Sequence, residues 1–177
     1  MKYYTGIGSR DCPIWAKQLA TMIAKHMDLD WTLRSGGAIG MDTGFEEGSI
    51  HKEIYLPWSG FNKRTDGFHD IVLTDATQED AEEELYESGV CKAIYNLPMH
   101  IRKLFARNVY QITGSNGEEH SAFVAYWAPT DKKGNPTGGT SIAVNYAKAL
   151  SIPTYNLNVL VERNAILSLL KIENNTW

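Results

Sequence analysis

A strand, a glycine-rich loop and a helix follow one another directly in residues 31–50, WTLRSGGAIGMDTGFEEGSI. Residues 31–34 have the apolar and β-branched character of a short strand. The glycines between Ser35 and Gly40 interrupt that pattern, and a helix is predicted from Met41 to Ile50. This order of elements is the building unit of α/β proteins.

The first residues of the chain repeat the same unit. Lys2 to Thr5 is predicted as a strand, the sequence GIGSR follows at residues 6–10, and Pro13 is well placed to begin a helix. Apolar residues recur at three- and four-residue spacing from Ile14 to Met27, which predicts a helix with one buried face. Two such units in succession favour parallel strands.

The rest of the chain continues the alternation of strands and helices. Strands are predicted at 53–56, 71–73, 121–127 and 153–157, and helices at 77–86, 98–113, 140–150 and 161–172. Residues 121–127 are almost continuously apolar, as expected of a strand buried on both faces. Residues 57–70 are predicted to form a long functional loop. We therefore expect a Rossmann-like three-layer α/β fold with a mainly parallel sheet, and residues 1–177 as a single domain.

Composition restricts the possible partners. The formal net charge of −4 gives the chain no overall attraction to a polyanion. Cys12 and Cys91 lack the spacing of a disulfide framework or a zinc site, and we predict neither a metal site nor a cofactor. No apolar run reaches the roughly 20 residues of a membrane span and no targeting segment is recognisable. We expect a cytoplasmic protein with no membrane partner.

Three glycine loops follow predicted strands, the third of them at Thr137 to Ser141. A loop of this kind points backbone N–H groups at an anion, although a glycine pair at a turn can also reflect tight backbone geometry alone. The first loop lacks the third glycine of the dinucleotide fingerprint, and no stretch has the lysine and hydroxyl residue of a phosphate-binding P-loop. An ordinary NAD dehydrogenase and a standard ATPase or GTPase are therefore disfavoured.

The loops resemble those of the DNA-processing protein A (DprA) Rossmann core and the wider SLOG superfamily, which includes the cytokinin-activating LOG enzymes. Small phage-encoded members are the most similar. The resemblance covers most of the chain and rests on YTGIGSR at residues 4–10, RSGGAIGMD at 34–42, the segment 102–108, and Gly138 to Thr140 before a helix. The second motif is the most specific, because DprA cores have a Ser-Gly-Gly-Ala-x-Gly-Ile-Asp pattern there.

The resemblance implies that the glycine loops bind phosphate groups. The predicted ligand-binding residues are Gly6, Gly8, Ser9, Arg10, Arg34, Ser35, Gly36, Gly37, Asp42, Arg107, Asn108, Gly138, Gly139, Thr140 and Ser141. Four arginines are candidates for neutralising phosphate charge, because guanidinium groups suit bidentate contacts: Arg10, Arg34, Arg102 and Arg107. Arg102 fits a surface helix cation equally well.

Catalysis is less well supported than binding. LOG enzymes have a glutamate three positions after the threonine of their Gly-Thr motif, and Ala143 occupies that position here. Another carboxylate would have to act, and Asp42, Glu46 and Glu47 are the nearest candidates in sequence. Asp42 is equally well explained as a first-turn helix residue. Aromatic residues that could stack on a base are Tyr4, Trp58, Phe61, Phe68 and Trp127, although burial is the commoner role of such residues.

Three functions follow as hypotheses. The leading one is binding of a small phosphate-bearing nucleotide, such as an ADP-ribose derivative or a cyclic nucleotide, which in a phage could sequester a host defence signal. The first alternative is hydrolysis of an N-glycosidic or phosphate bond in such a ligand by Asp42 or Glu46. The second is minimal single-stranded DNA binding, which the acidic composition disfavours. We also expect a homo-oligomer, and the apolar stripe of residues 98–113 fits either core or partner.

Overall fold

The structure, a computed structural model, describes residues 2–173. Within these residues the strands are β1 (Lys2–Gly8), β2 (Trp31–Ser35), β3 (Lys52–Leu56), β4 (Asp70–Val72), β5 (Val124–Trp127) and β6 (Thr154–Asn156). The α-helices are α1 (Ile14–Met27), α2 (Met41–Gly48), α3 (Asp75–Glu87), α4 (Met99–Thr113), α5 (Thr140–Ala149) and α6 (Leu160–Leu169). The predicted alternation is confirmed, and boundaries differ by a few residues.

All the strands belong to one parallel sheet with the order β4-β3-β2-β1-β5-β6. β1 extends beyond its predicted end at Thr5, because Gly6, Ile7 and Gly8 pair with β5. Gly6 is therefore a strand residue, and a Cβ there would lie 2.6 Å from the ring of Phe45. The prediction of residues 6–8 as loop was wrong because pairing with β5 depends on residues more than 100 positions away.

Helices cover both faces of the sheet. On one face, α1, α2 and α6 bury side chains that include Leu19, Phe45 and Ile166. On the other face, α3, α4 and α5 bury Leu85, Ile112 and Val144 among others. Burial of these apolar side chains is the main favourable contribution to folding. The expected Rossmann-like three-layer α/β fold is confirmed.

The apolar stripe of α4 divides into two parts. Val109 and Ile112, near the carboxyl end of the helix, are buried in the core. Ile101, Leu104 and Phe105, near its amino end, are only partly buried and line a pocket. One half of the stripe therefore belongs to the core, whereas the other half forms a wall of the candidate site. None of the helices within residues 2–173 is long and apolar enough to cross a membrane.

Candidate functional site

The strand order reverses at the centre of the sheet. The chain leaves β1 towards β2 on one side, whereas β5 lies on the other side of β1. α1, which follows β1, and α5, which follows β5, lie on opposite faces of the sheet. The loops at the carboxyl ends of β1 and β5 therefore diverge, and such a point is where ligands bind in open α/β sheets.

A pocket of about 520 Å³ lies at this point, and we call it the switch-point pocket. Outside α4, it is lined by Ile7, Gly8, Ser9, Arg10, Ala38, Asp42, Phe61, Gly138, Gly139 and Thr140. α4 contributes Ile101, Leu104, Phe105, Arg107, Asn108 and Gln111. The three glycine loops predicted to share a site are therefore brought together.

The first loop is held against its neighbours through the backbone. Ser9 donates its N–H to the carbonyl of Trp127 in β5, and the Ser9 carbonyl accepts from the N–H of Met41 in α2. A Cβ on Gly8 would lie 2.5 Å from the Trp127 carbonyl oxygen, so this close approach requires glycine. Arg10 is exposed and extends from this loop at the mouth of the pocket.

Asp42, in the first turn of α2, joins the first two loops. Its carboxylate accepts the Gly8 N–H at 3.1 Å on Oδ1 and the Ala38 N–H at 3.3 Å on Oδ2. The side chain is 2 % exposed, and burial raises its pKa from 3.8 to about 6 despite the opposing field of Arg107. Asp42 therefore has a structural role in the loops and is also a carboxyl group within the pocket.

Arg107 lies in the wall formed by α4. Its Nη1 donates to the Gly36 carbonyl, and its guanidinium carbon lies 5.5 Å from the centre of the Phe61 ring. Burial lowers the pKa of Arg107, whereas the Asp42 carboxylate raises it. Within residues 2–173 its buried Nε has no hydrogen-bond partner. The cation is thus packed against the second glycine loop with one donor unused.

The third loop is fixed by the residue next to Arg107. Asn108 donates its Nδ2 to the Gly139 carbonyl at 3.1 Å. Gly138 has a φ of +76°, which favours glycine, and α5 begins at Thr140. Ser141 donates its hydroxyl to the Gly138 carbonyl at 2.7 Å and lies behind the pocket lining. The N-terminus of α5 therefore faces the pocket beside Asn108.

Some predicted site residues lie elsewhere because other groups engage them. Arg34 is 2 % exposed, pairs with Glu53 at 2.8 Å and stacks on Tyr3, away from the pocket. Arg102 pairs with Glu82, a member of the acidic stretch of α3 that is itself 1 % exposed. These two arginines are held by acids contributed by distant parts of the chain.

The remaining second-loop residues lie just behind the pocket. Ser35 donates its hydroxyl to the Gly6 carbonyl at 2.7 Å, and Gly37 accepts a hydrogen bond from Asn62 at 3.1 Å. A Cβ on Gly36 would collide with the Arg107 and Gln111 side chains. Glu46 is paired with Arg64 at 2.7 Å and does not line the pocket.

Of the aromatic residues considered for base stacking, Phe61 alone is part of the pocket lining within residues 2–173. Tyr4 and Trp127 are buried in the core, and Phe68 is 96 % exposed. Phe105 and Gln111 were not predicted as site residues. Their signal was their position on α4, because Gln111 lies one turn after Arg107 and so faces the same way.

A second cavity of about 580 Å³ lies at the amino ends of the strands, opposite the switch-point pocket. Its lining includes Trp31, Phe123 and Tyr155, and no glycine loop contributes to it. Because ligands of parallel sheets bind at the carboxyl ends of the strands, the switch-point pocket is the better candidate.

The fold and this pocket define a Rossmann-like three-layer α/β protein with its candidate site at the strand-order reversal. No protein-family model and no curated protein matches the sequence. A solved structure of DNA processing protein A from Helicobacter pylori, described for its unique single-stranded DNA binding mode, is similar to the chain with 14% identity and a TM-score of 0.47. The match covers 97% of this chain and 74% of that one.

Proposed function

We propose that the chain binds a small phosphate-bearing nucleotide, such as an ADP-ribose derivative or a cyclic nucleotide, in the switch-point pocket. The observation that carries the proposal is the composition of the pocket. Glycine-loop backbone, Arg10 and the N-terminus of α5 lie beside an apolar wall of Leu104, Phe105 and Ile101. The volume of about 520 Å³ is within the usual range of small-molecule sites.

The two parts of the pocket suit the two parts of a nucleotide. Arg10 and the N-terminus of α5 are suited to a phosphate group, because guanidinium groups and the positive end of a helix dipole both favour oxyanions. Phe61 and Phe105 are aromatic surfaces on which a base can stack. Binding without turnover would sequester the nucleotide, which is the use suggested by the resemblance to small phage proteins.

The distribution of cations favours a small ligand over a polymer. The ion pairs within residues 2–173 engage Arg34, Arg64 and Arg102. Arg10 and Arg107, which line the pocket, take part in none of the ion pairs within residues 2–173. A non-specific single-strand binder needs a positively charged groove that follows the backbone over several nucleotides. Two arginines in a protein of net charge −4 supply little of such a groove.

Hydrolysis of the bound nucleotide is a second candidate function, and one observation favours it. Asp42 lines the pocket, and its pKa is raised to about 6 by burial, close to the value that suits a general acid or base at neutral pH. The other acids considered, Glu46 and Glu47, are paired with Arg64 and Lys17 respectively. A hydrolase would therefore use Asp42.

The test is a ligand screen followed by recovery of the ligand. Purified protein is mixed with ADP-ribose, cyclic nucleotides, cyclic dinucleotides, nucleoside monophosphates and a single-stranded oligonucleotide, and the thermal shift is recorded. Ligands that raise the Tm are recovered and identified by chromatography. A ligand recovered intact supports binding, cleavage products support hydrolysis, and a shift with the oligonucleotide alone supports single-stranded DNA binding.

Arg10→Ala is the variant that links binding to the pocket. Since Arg10 is exposed, its removal leaves folding unchanged, and the loss of a charged hydrogen bond weakens nucleotide binding by about 10- to 100-fold. Lys25→Ala is the matched control, because it removes one exposed positive charge from the carboxyl end of α1. Equal affinity of both variants would contradict phosphate binding at Arg10.

A further inference from the structure

The floor of the switch-point pocket contains two buried polar atoms that are not used by the fold. Gln111 is 1 % exposed and Arg107 is 9 % exposed. Within residues 2–173, neither the Oε1 of Gln111 nor the Nε of Arg107 has a hydrogen-bond partner. Both residues line the pocket. Unpaired buried polar groups are uncommon in folded proteins, and each one calls for an explanation.

The two side chains converge on one place. Arg107 and Gln111 lie one turn apart on α4, so they project from the same face of the helix. A Cβ on Gly36 would collide with the end of each side chain, which puts both ends against this glycine. The atoms that this Cβ would meet are the Arg107 Nη1 and the Gln111 Nε2, so the two side chains that carry the unpaired atoms lie side by side at the second glycine loop.

The charges around this floor are mixed, because the Arg107 cation is influenced by the carboxylate of Asp42 and by the cation of Arg10. The positive charge of Arg107 is opposed by the carboxylate of Asp42, and each group shifts the pKa of the other. A phosphate group here would accept a hydrogen bond from Arg107, but it would also face the carboxylate and the amide oxygen of Gln111, neither of which donates. The floor therefore disfavours an anion and suits a neutral group.

A hydroxyl group satisfies both atoms at once. It accepts from the Arg107 Nε–H and donates to the Gln111 Oε1 through a single oxygen. Phe105, one of the two aromatic surfaces suited to a base, is six residues before Gln111, about 9 Å along the helix axis towards the amino end of α4. A base stacked on Phe105 and a hydroxyl bound at Gln111 would thus occupy different parts of the pocket.

We infer that the floor formed by Arg107, Gln111 and Gly36 is a subsite for a sugar hydroxyl of the ligand, so that the protein selects ribonucleotides over their deoxy counterparts. This inference rests on the proposed nucleotide binding and deepens it. A site with buried polar groups rejects an analogue that lacks the matching hydroxyl, because those groups are left unpaired. The structure thus separates Arg107, which binds the sugar, from Arg10, which binds phosphate.

The experiment measures dissociation constants by calorimetry. The ligands are the four ribonucleoside 5′-monophosphates and their 2′-deoxy and 3′-deoxy counterparts. Wild-type protein is expected to bind the ribonucleotide about 10- to 100-fold more tightly than one of the two deoxy forms. The form that loses affinity identifies the hydroxyl bound at the floor.

Gln111→Leu tests the acceptor while keeping the side-chain volume close to that of glutamine. It is expected to abolish the preference, so that the ribonucleotide and deoxynucleotide bind equally, and to leave the Tm unchanged or higher because an unpaired buried polar group is removed. Arg10→Ala is the contrasting variant, since it should weaken both ligands and keep their ratio.

The outcomes separate the two proposals. If wild-type protein binds ribonucleotides and deoxynucleotides equally while Arg10→Ala weakens both, the hydroxyl subsite is overturned and nucleotide binding stands. If the preference persists in Gln111→Leu, the hydroxyl is bound elsewhere and the subsite is again overturned. If none of these probes binds, and neither ADP-ribose nor a cyclic nucleotide raises the Tm, both proposals are overturned.

Discussion

Asp42 makes the stability of the protein depend on pH in an unusual direction. Its pKa is 3.8 in the unfolded chain and about 6 in the folded protein, because burial disfavours the charged form. Between these values the unfolded state has already lost the proton that the folded state retains. The free energy of unfolding therefore decreases as the pH rises from about 4 to 6, by about 2 kcal/mol over that interval out of about 3 kcal/mol for the whole shift.

Comparison with Asp42→Asn isolates this contribution. The variant does not titrate at this position, so the difference in unfolding free energy between wild type and variant should fall by about 2 kcal/mol from pH 4 to pH 6. Urea denaturation at half-unit pH intervals measures it. Glu46, whose pKa is also raised by burial, is present in both proteins and enters the difference only through its electrostatic interaction with Asp42. A constant difference would show that Asp42 titrates alike in both states.

Two glycines of the loops should differ sharply in their tolerance of a side chain. A Cβ on Gly36 would collide with Arg107 and Gln111, whereas the nearest atom to one on Gly139 is 4.0 Å away, in Phe105. Gly139 also has helical backbone angles, with a φ of −62° and a ψ of −26°. Gly36→Ala is expected to lower stability by about 1–3 kcal/mol through overpacking, and Gly139→Ala to leave it unchanged.

The measurement is thermal and urea denaturation of both variants, followed by nucleotide titration. Displacement of Arg107 by the new methyl group should also weaken ligand binding in Gly36→Ala. If Gly36→Ala were as stable as the wild type, the floor of the pocket would have room for a methyl group that the structure does not indicate.

At the scale of elements, Arg64 ties the segment between β3 and β4 to α2 and β4, alongside the hydrogen bond from Asn62 to the Gly37 carbonyl. Arg64 pairs with Glu46 of α2 at 2.7 Å and with Asp70 of β4 at 2.5 Å, and all three side chains are largely buried. The same segment contributes Phe61 to the pocket. Arg64 therefore determines where residues 57–69 lie.

Removal of Arg64 should loosen this segment without unfolding the sheet. Arg64→Ala is expected to cost about 2–3 kcal/mol of stability, because two partly buried carboxylates lose their partner. Hydrogen–deuterium exchange should quicken in residues 57–70 and remain unchanged in β1 and β5. Lys63→Ala, which removes the adjacent exposed cation, is the control and should leave both properties as they are.

At the scale of the whole molecule, the net charge of −4 sets the response to salt. Only a few charged contacts are available in the pocket, so nucleotide affinity should fall by less than about tenfold between 50 and 200 mM salt. A protein that coats single-stranded DNA would lose roughly 10³-fold or more over that range through counterion release. Titrations of a nucleoside monophosphate and of a 20-nucleotide strand at several salt concentrations distinguish the two.

The sequence by itself predicted the order of the elements, the layers of the fold and the convergence of three glycine loops. Each of these depends on local information. The period of apolar residues in Ile14 to Met27 distinguishes helix from strand, and glycines after an apolar run indicate a turn. Because consecutive parallel strands end at one edge of the sheet, three such loops had to meet there. Arg107 and Asn108 were identified through family resemblance and do line the pocket.

Only the tertiary structure decided which polar residues are available to a ligand. Arg10 and Arg34 are both arginines next to glycine loops, yet Arg34 forms an ion pair with Glu53 and stacks on Tyr3. Gln111 has no local motif, and its unpaired oxygen is apparent only when α4 is packed against Gly36. The physical reason is range: periodicity and turn geometry act over a few residues, whereas ion pairing and burial depend on groups that folding brings together from distant parts of the chain.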